Sequence, residues 1–465
     1  MRKKKNRLPW FLVPSIWSLA WPTMLEELMQ TLVQYIDTAM VGTLGTQATA
    51  AVGATSTVSW LVGSTVSAIG VGFLAYVSRA IGAGDREKVA RASAQAVLAA
   101  LFSGLLFTVL TLGLSRQVPV WMQVDPQIQD LAARYFFVLY TPMLARAAMI
   151  IFGTLLRSVG DAKTPMRIGL MVNAINVVGN FLLIYPTRQI WGIRVYGAGM
   201  GVIGAAVASA VSYAVGGICI TVVLWRHPKV SPRGQSFQPD WQVLKPCLKV
   251  ALPNALQRFG TSLGYVAFAS MINALGEVAT AAHTIANTVE SAFYIPGYGM
   301  QTAAATLAGN ALGAGDKQRI RDLGRMILLI EVGLMILSGG LLFVFAPAMM
   351  GLFSRDAAVI ALGARVLRMV AVSEPFYGVS IILEGIMQGV GKTTVPFVFG
   401  ISGMWGVRIL GTWICTKMLG LGLVAAWGCM IGHNLLLFAL FSLYYLGGKW
   451  NPLNGEKIKN MFICQ

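Results

Sequence analysis

The residues best suited to chemistry are polar side chains inside apolar stretches. Between positions 14 and 41, Glu26, Gln30 and Asp37 fall four and then seven residues apart, with Gln34 beside them. That spacing puts them on one face of a helix. A charge at the centre of a membrane helix costs about 2.5–3.5 kcal/mol, so this face should look toward a cavity or a partner. Asp37 is therefore a candidate cation site, with Gln34 as a neighbour.

Amide and hydroxyl side chains follow in two later apolar stretches. Asn173, Asn176 and Asn180 are three and four residues apart, so they lie on one side of a helix, and Ser209 lies in the next stretch. Carboxylate, amide and hydroxyl oxygens suit Na⁺, and they equally support a carboxyl group that exchanges a proton. Asp37, Asn176 and Asn180 thus form a possible Na⁺ site. Bonding between neighbouring helices is the alternative role of the asparagines.

A second set of acids lies in the C-terminal half. Glu290, Glu374 and Glu384 each fall in an apolar stretch, together with aromatic residues. Such a set would hold a lipophilic organic cation through charge, cation–π contact and apolar packing. An internal salt bridge from Glu290 or Glu374 to Arg258 is the alternative. The predicted cavity residues are Glu26, Glu290, Glu374, Glu384, Arg258, Tyr35, Trp60, Asn287, Tyr294, Tyr377 and Met387.

The elements that must position these residues are membrane helices. Of the 465 residues, 56% are apolar and only 12% are charged, against roughly 25% charged in a soluble protein. Twelve apolar stretches have about 20 residues or more, enough to cross the hydrocarbon core of a bilayer. The sequence therefore predicts an all-α polytopic membrane protein. The predicted spans are 14–41, 50–80, 92–115, 131–157, 165–185, 198–225, 247–272, 281–311, 324–348, 361–388, 394–416 and 420–446.

The basic residues behind the net charge of +18 lie mostly on one side of the predicted membrane helices. Most of the 36 Lys and Arg residues fall in the tails and in loops on the side of the N-terminus, as the positive-inside rule requires of cytoplasmic segments. This predicts a multi-pass protein of the plasma (inner) membrane with both termini in the cytoplasm. The basic charge then contacts anionic membrane lipid, and we expect no nucleic-acid partner. The five scattered cysteines predict neither disulfides nor a metal site.

The sequence also contains an internal duplication. The GAGD motif at 82–85 recurs at 313–316, and the same offset of 231 residues aligns Pro22 with Pro253. Each repeat has six spans, so both enter the membrane in the same direction and should be related by a pseudo-twofold axis along the membrane normal. Two lobes around a cavity are typical of alternating access. The predicted parts are an N-lobe at 1–225, a cytoplasmic linker at 226–249 and a C-lobe at 250–465.

These features together resemble the multidrug and toxic compound extrusion (MATE) family, and its DinF-like branch in particular. The resemblance covers nearly the whole chain. It rests on DTAMVGTLG at 37–45, RSVGDAKTP at 157–165, both GAGD motifs, and AAHTI at 281–285. It implies an antiporter that exports organic, often cationic compounds against an inward flow of H⁺ or Na⁺, with no other cofactor and with small organic cargo and lipid as partners. We expect a monomer and not an enzyme.

The resemblance also implies residue roles. The family's aspartate in the first helix takes up the ion, which corresponds to Asp37. Its fifth helix has an asparagine followed four residues later by an aspartate, where this sequence has Asn176 and Asn180. The loss of that second acid favours H⁺ over Na⁺. Thr261 stands near the position of an acid in the seventh helix of another branch, so acid chemistry in the C-lobe would depend on the three glutamates named above.

Two other functions stay open. A flippase or exporter of an anionic or lipid-linked cargo would share the two-lobe architecture, and Arg146 and Arg258 could serve it. The excess of acids over bases inside the spans disfavours it. An intramembrane enzyme is the more distant alternative, since the sequence has no His/Glu zinc spacing, paired catalytic aspartates or Ser/His pattern.

Overall fold

Long α-helices make up most of the chain, because a backbone in hydrocarbon must satisfy its own hydrogen bonds. The computed structural model describes residues 9–190 and 193–454. The first half contains α1 (Val13–Gly42), α2 (Thr46–Gly82), α3 (Arg86–Gly113), α4 (Gln117–Trp121), α5 (Gln129–Tyr140), α6 (Met143–Ser158), α7 (Lys163–Leu183) and α8 (Gly201–Arg226). The second half contains α9 (Trp241–Asn273), α10 (Glu277–Gly313), α11 (Lys317–Phe353), α12 (Ala357–Gly389), α13 (Thr394–Gly403), α14 (Leu410–Trp413) and α15 (Leu423–Leu446).

Each of the twelve predicted spans coincides with a helix or with a run of consecutive helices. Of the described helices, eight are long and apolar enough to cross a membrane, and nine if α5 and α6 count as one bent span. The three predicted spans outside that set are α1, α9 and α10. They carry acids, lysines and amides along their length, which lowers their mean hydropathy.

Two predicted spans are not continuous α-helices. The span at 131–157 is the pair α5 and α6, bent by 49°, where Pro142 lacks an N–H to continue the hydrogen-bond ladder. The span at 394–416 contains π-helical turns at Met404–Ile409 and Ile414–Met418. A π turn inserts an extra residue and changes the direction in which the following side chains point. Hydrophobic periodicity alone could not predict either feature.

The loop between α7 and α8 contains the two described strands, which the sequence analysis did not predict. β1 (Pro186–Ile190) pairs antiparallel with β2 (Ile193–Ala198), with Arg188 opposite Val195. The segment is rich in Thr, Ile, Val and Tyr, which favour a pleated backbone. The hairpin links two helices that pack against each other.

The chain divides into two compact units. The N-unit comprises Leu25–Phe73 and Arg86–Leu248, and in it α8 packs on α5, α6 and α7. The C-unit comprises Met1–Met24, Leu74–Asp85 and Lys249–Gln465, and in it α10, α11 and α12 pack on one another. The lobe boundaries and the axis predicted from the sequence remain predictions.

Both GAGD motifs form the turn between two helices. Gly84 and Gly315 have φ of +74° and +67°, a left-handed conformation that favours glycine. In the second motif, Asp316 Oδ1 accepts a hydrogen bond from the Arg319 N–H at 2.8 Å and caps α11. The aspartate of this motif therefore serves as the N-cap of the helix that follows.

The end of α2 crosses the end of α10 within the C-unit, with no room for a side chain at two glycines. A Cβ at Gly82 would overlap the backbone carbonyl of Asn310, and a Cβ at Gly313 would overlap that of Arg79. The offset of 231 residues relates Gly82 to Gly313 and Arg79 to Asn310. The contact of Gly82 with Asn310 and the contact of Gly313 with Arg79 are therefore equivalent under the internal repeat.

Candidate functional site

The N-unit gathers the predicted polar residues of three helices around one carboxylate. Asn180 in α7 donates from Nδ2 to Asp37 Oδ1 in α1 at 2.5 Å. The side-chain amide of Asn176 has one orientation in which both its nitrogen and its oxygen have hydrogen-bond partners. In that orientation Asn176 donates to Asp37 Oδ1 at 2.8 Å and accepts from Ser209 Oγ in α8 at 2.9 Å. Asp37, Asn176, Asn180 and Ser209 thus form one connected cluster, called the Asp37 cluster below.

The local sequence explains the geometry of the Asp37 cluster. The interval of four residues puts Asn176 and Asn180 one above the other on α7, and both are buried, Asn180 completely. The hairpin brings α8 back beside α7, which places Ser209 next to Asn176. Asn180 Oδ1 is buried and has no hydrogen-bond partner in the described part of the chain.

Other residues predicted near this site lie elsewhere on the N-unit. Gln34 is exposed, and its side chain makes no hydrogen bond within the described residues. Tyr35 and Trp60 are also exposed, Trp60 to 50%. The structure therefore does not bring Gln34 into the Asp37 cluster, although both side chains belong to α1.

Glu26 has a partner that the sequence analysis missed. Arg157 in α6 donates from Nη2 to Glu26 Oε2 at 2.6 Å, and both side chains are largely buried. This ion pair neutralises the acid, and a Cβ added to Gly169 in α7 would lie 3.5 Å from Glu26 Oε1. Arg157 belongs to the RSVGDAKTP motif, but no spacing rule links residues so far apart in sequence.

In the C-unit, Glu384 and Arg258 are held by amides. Gln257 and Gln388 each donate to Glu384 Oε1 at 3.1 Å. Arg258 donates from Nε to Asn254 Oδ1 at 2.9 Å and makes no ion pair within the described residues. The salt bridge from Arg258 to Glu290 or Glu374 is therefore absent from the described part of the chain.

Three tyrosines form an aromatic group in the same unit. The ring of Tyr294 in α10 lies edge-on to those of Tyr298 at 5.9 Å and Tyr377 in α12 at 5.7 Å. The hydroxyls of Tyr298 and Tyr377 are 3.1 Å apart. Tyr294 and Tyr377 were predicted from the sequence but Tyr298 was not, although its interval of four residues from Tyr294 indicates that the two share a helix face.

The other two C-unit acids that were predicted to line the cavity are buried. Glu290 is 5% exposed, and Glu374 is 1% exposed with neither carboxylate oxygen hydrogen-bonded in the described part of the chain. Met387 is completely buried, whereas Asn287 is exposed. These four residues therefore do not share one surface.

Arg408 lies within the π-helical turn Met404–Ile409, and its charge reaches Glu290. Its guanidinium stacks on Tyr265 and Phe268, 4.8 and 4.5 Å from the ring centroids. Phe268 is the counterpart of Asp37 in the second repeat. One repeat thus presents a carboxylate with amides, and the other presents an arginine on aromatic rings.

The chemistry available to the Asp37 cluster is reversible binding of one small cation. The described residues hold no group of three or more His, Cys, Asp or Glu side chains that could bind a metal ion. One carboxylate, surrounded by neutral amides and a hydroxyl, can take up a proton or bind Na⁺ together with amide oxygens. A polar cluster of this kind, inside a bundle of membrane helices built from two repeats, is typical of a secondary transporter.

Comparison with known proteins also indicates a membrane transporter. The MatE family profile matches residues 22–182 and 253–414, one segment in each repeat. The chain belongs to this family of membrane transporters, so it is a multi-pass transporter and not an enzyme.

Relatives cover nearly the whole chain. It is 28% identical to a probable multidrug resistance protein, NorM, from Thermotoga maritima. That alignment spans 464 residues and covers 98% of each chain. It is 24% identical to the probable multidrug resistance protein YpnP of Bacillus subtilis, over 93% of this chain and 94% of that one.

Solved structures confirm the polytopic helical fold. One is a transporter of the MOP superfamily from Pyrococcus furiosus, with a TM-score of 0.88, 24% identity, and coverage of 95% of this chain and 96% of that one. Its binding pocket was described as having reverse polarity, which suggested a different function. Another is an outward-facing multidrug resistance MATE transporter, with a TM-score of 0.87, 23% identity, and coverage of 93% and 95%.

Proposed function

We propose that the chain is a cation-coupled antiporter that exports organic, often lipophilic cationic compounds by alternating access. The observation that carries this proposal is the Asp37 cluster, a single carboxylate held by two amides of a neighbouring helix. Its relatives named as multidrug resistance proteins support the cargo class. The protein works as a monomer in the plasma membrane, with both termini in the cytoplasm.

The geometry of the cluster favours H⁺ over Na⁺ as the coupling ion. Both amides present N–H groups to Asp37, so they occupy lone pairs that a Na⁺ ion would need. The position that carries a second acid in the family is Asn180, which adds no charge. A proton needs only the carboxylate oxygen, whereas Na⁺ needs several oxygen ligands.

Protonation of Asp37 changes the contact between α1 and α7. Hydrogen bonds to a charged acceptor contribute about 1.5–3 kcal/mol, and those between neutral groups about 1 kcal/mol. Neutralising the carboxylate therefore weakens two bonds by about 2 kcal/mol in total, enough to change a conformational equilibrium about thirtyfold. In this mechanism the outward-open protein takes up a proton, α1 repacks, cargo leaves, and the loaded protein turns inward to release the proton.

The cargo would be held by acids and aromatic rings. The Tyr294, Tyr298 and Tyr377 group offers ring faces for cation–π contact. The Glu384 carboxylate accepts hydrogen bonds from the side-chain amides of Gln257 and Gln388 and makes no ion pair within the described residues. Glu26 is less suited to this role, because Arg157 already neutralises it.

Transport by the purified chain in proteoliposomes tests this proposal. Ethidium or a phosphonium cation is the cargo, and either a pH gradient or a Na⁺ gradient is imposed. We expect cargo addition to dissipate the pH gradient and to leave the Na⁺ gradient unchanged. Dissipation of the Na⁺ gradient alone would contradict the choice of ion, and no response to either gradient would contradict cation-coupled antiport.

A second candidate is export of an anionic or lipid-linked cargo. It is favoured by Arg146, whose guanidinium lies over the rings of Tyr213 and Tyr140 at 5.1 and 5.9 Å. This arginine makes no ion pair with a carboxylate within the described residues. An anionic cargo that competes with the cation for binding, and loses affinity in Arg146→Gln, would support this second function.

A further inference from the structure

A groove runs between α11 and α12 on the surface of the C-unit, with a volume of about 620 Å³. Its wall is mostly apolar, and Phe343 and Val372 are exposed to 46% and 65%. Both helices are long and apolar enough to cross a membrane. An exposed apolar groove on such helices lies against lipid. The side chains that matter here are Phe343, Pro347, Ile360, Val372, Arg365 and Arg368.

Two exposed arginines interrupt this apolar wall. Arg365 makes no hydrogen bond or ion pair within the described residues. Arg368 donates from Nε to the Phe343 carbonyl at 3.3 Å, and its guanidinium lies 5.8 Å from the ring centroid of Phe343. Neither arginine has a carboxylate partner in the described part of the chain, so the groove carries two positive charges without a counter-charge.

The first repeat contains the matching arginine with a partner. Arg134 in α5 is bonded to Asp130 through Nε and Oδ2 at 2.8 Å, one helical turn away. The offset of 231 residues takes Arg134 to Arg365 but takes Asp130 to Ala361, which lines the groove. The second repeat therefore keeps the arginine, lacks the acid, and has an apolar residue in its place.

The depth of the arginines fits a lipid headgroup. Asp356 caps the start of α12, and at 1.5 Å per residue Arg365 and Arg368 lie about 12 and 17 Å along the helix. With 33 residues, α12 is about 50 Å long and extends well beyond a hydrocarbon core of roughly 30 Å. Long arginine side chains reach from this depth to the interface.

We propose that this groove binds one anionic phospholipid, from the leaflet that the start of α12 faces. The guanidinium groups of Arg365 and Arg368 bind the phosphodiester, for which arginine supplies paired N–H donors. An acyl chain lies along Phe343, Pro347 and Val372. The lipid phosphate takes the place that Asp130 occupies beside Arg134 in the first repeat.

Native mass spectrometry of the full chain tests this proposal. The protein is equilibrated with equal amounts of phosphatidylglycerol and phosphatidylcholine, and the ratio of the two bound lipids is measured. We expect one phosphatidylglycerol to be preferred. Each arginine near the surface should contribute about fivefold to that preference, so Arg365→Gln combined with Arg368→Gln should lower the ratio about twenty-fivefold. An equal ratio in wild type, or an unchanged ratio in the double variant, would overturn the proposal.

Two further variants separate lipid recognition from loss of structure. Ala361→Asp keeps both arginines and restores the acid of the first repeat, so it should lower the preference about fivefold by pairing Arg365. Arg134→Gln removes the matching arginine of the first repeat and should leave the ratio unchanged. A loss of preference in Arg134→Gln as large as in the double variant would overturn the assignment. Displacement of the lipid by equimolar glycerol phosphate would show that free phosphate is the ligand, and would overturn it as well.

Discussion

The substitution Asn180→Asp should convert the Asp37 cluster into a Na⁺ site. Asn180 is completely buried, and its Nδ2 lies 2.5 Å from Asp37 Oδ1. The variant therefore places two carboxylates in contact. At a separation of about 4 Å and an effective dielectric constant of about 20, two unit charges repel by about 4 kcal/mol. A bound cation relieves this repulsion, so Na⁺ affinity should rise by at least tenfold.

Thermal unfolding of the purified chain measures the effect. NaCl is varied against N-methyl-D-glucamine chloride at constant ionic strength, and the midpoint temperature is recorded. Binding to the folded state alone raises stability with the logarithm of ligand concentration. We expect Asn180→Asp to be less stable than wild type without Na⁺ and to regain stability as Na⁺ is added, whereas wild type changes little.

Asn173→Asp is the matched control. It adds the same charge on the same helix, at a half-buried position without a hydrogen bond to Asp37. It should not gain a response to Na⁺. If Asn180→Asp binds Na⁺ no more tightly than wild type, or if Asn173→Asp responds equally, the geometry assigned to the Asp37 cluster is refuted.

Two further predictions concern packing. Glu26→Gln should lower the free energy of unfolding by about 1–2 kcal/mol, because it removes the carboxylate that is paired with the largely buried Arg157. Thermal unfolding checks this, and a change of cargo selectivity at unchanged stability would count against a structural role. Gly82→Val should lower the free energy of unfolding by about 1–3 kcal/mol, since its side chain overlaps the Asn310 backbone. Gly113→Val, with nothing within 4 Å of its Cβ, should cost less in a parallel denaturation series.

The part of the site that the sequence predicts well is the part that depends on one helix at a time. Asn176 and Asn180 share a face because four residues make about one turn, and a short connection brings Ser209 beside them. The same rule placed Gln34 on the face of Asp37, but it is exposed. Helical spacing predicts which side chains of one helix are neighbours, but it does not predict which of them are buried by the other helices.

The contacts that the sequence did not predict join residues far apart in the chain. Arg157 and Glu26 are separated by 131 positions, and Gln257 and Glu384 by 127. No local pattern encodes such pairs, because they depend on how helices pack. The π turn that contains Arg408 was not predicted for a related reason, since it leaves the apolar pattern of its span almost unchanged.

The fold was predictable because the apolar stretches and the internal repeat are signals that extend over the whole chain. Apolar stretches long enough to cross a bilayer fix most helices, and the recurrence of GAGD at a constant offset fixes their grouping into repeats. The hairpin of β1 and β2 was not predicted, because the short connection at 184–200 carries too weak a strand pattern against two long helices.

Proton exchange by Asp37→Asn tests the central claim most directly. Cargo-induced dissipation of a pH gradient is measured in proteoliposomes with wild type, Asp37→Asn and Asp130→Asn, the last removing an exposed acid that is bonded to Arg134. We expect Asp37→Asn to bind cargo but no longer to exchange it for protons, and Asp130→Asn to behave as wild type. Exchange by Asp37→Asn at the wild-type rate would contradict the assignment of proton coupling to this carboxylate.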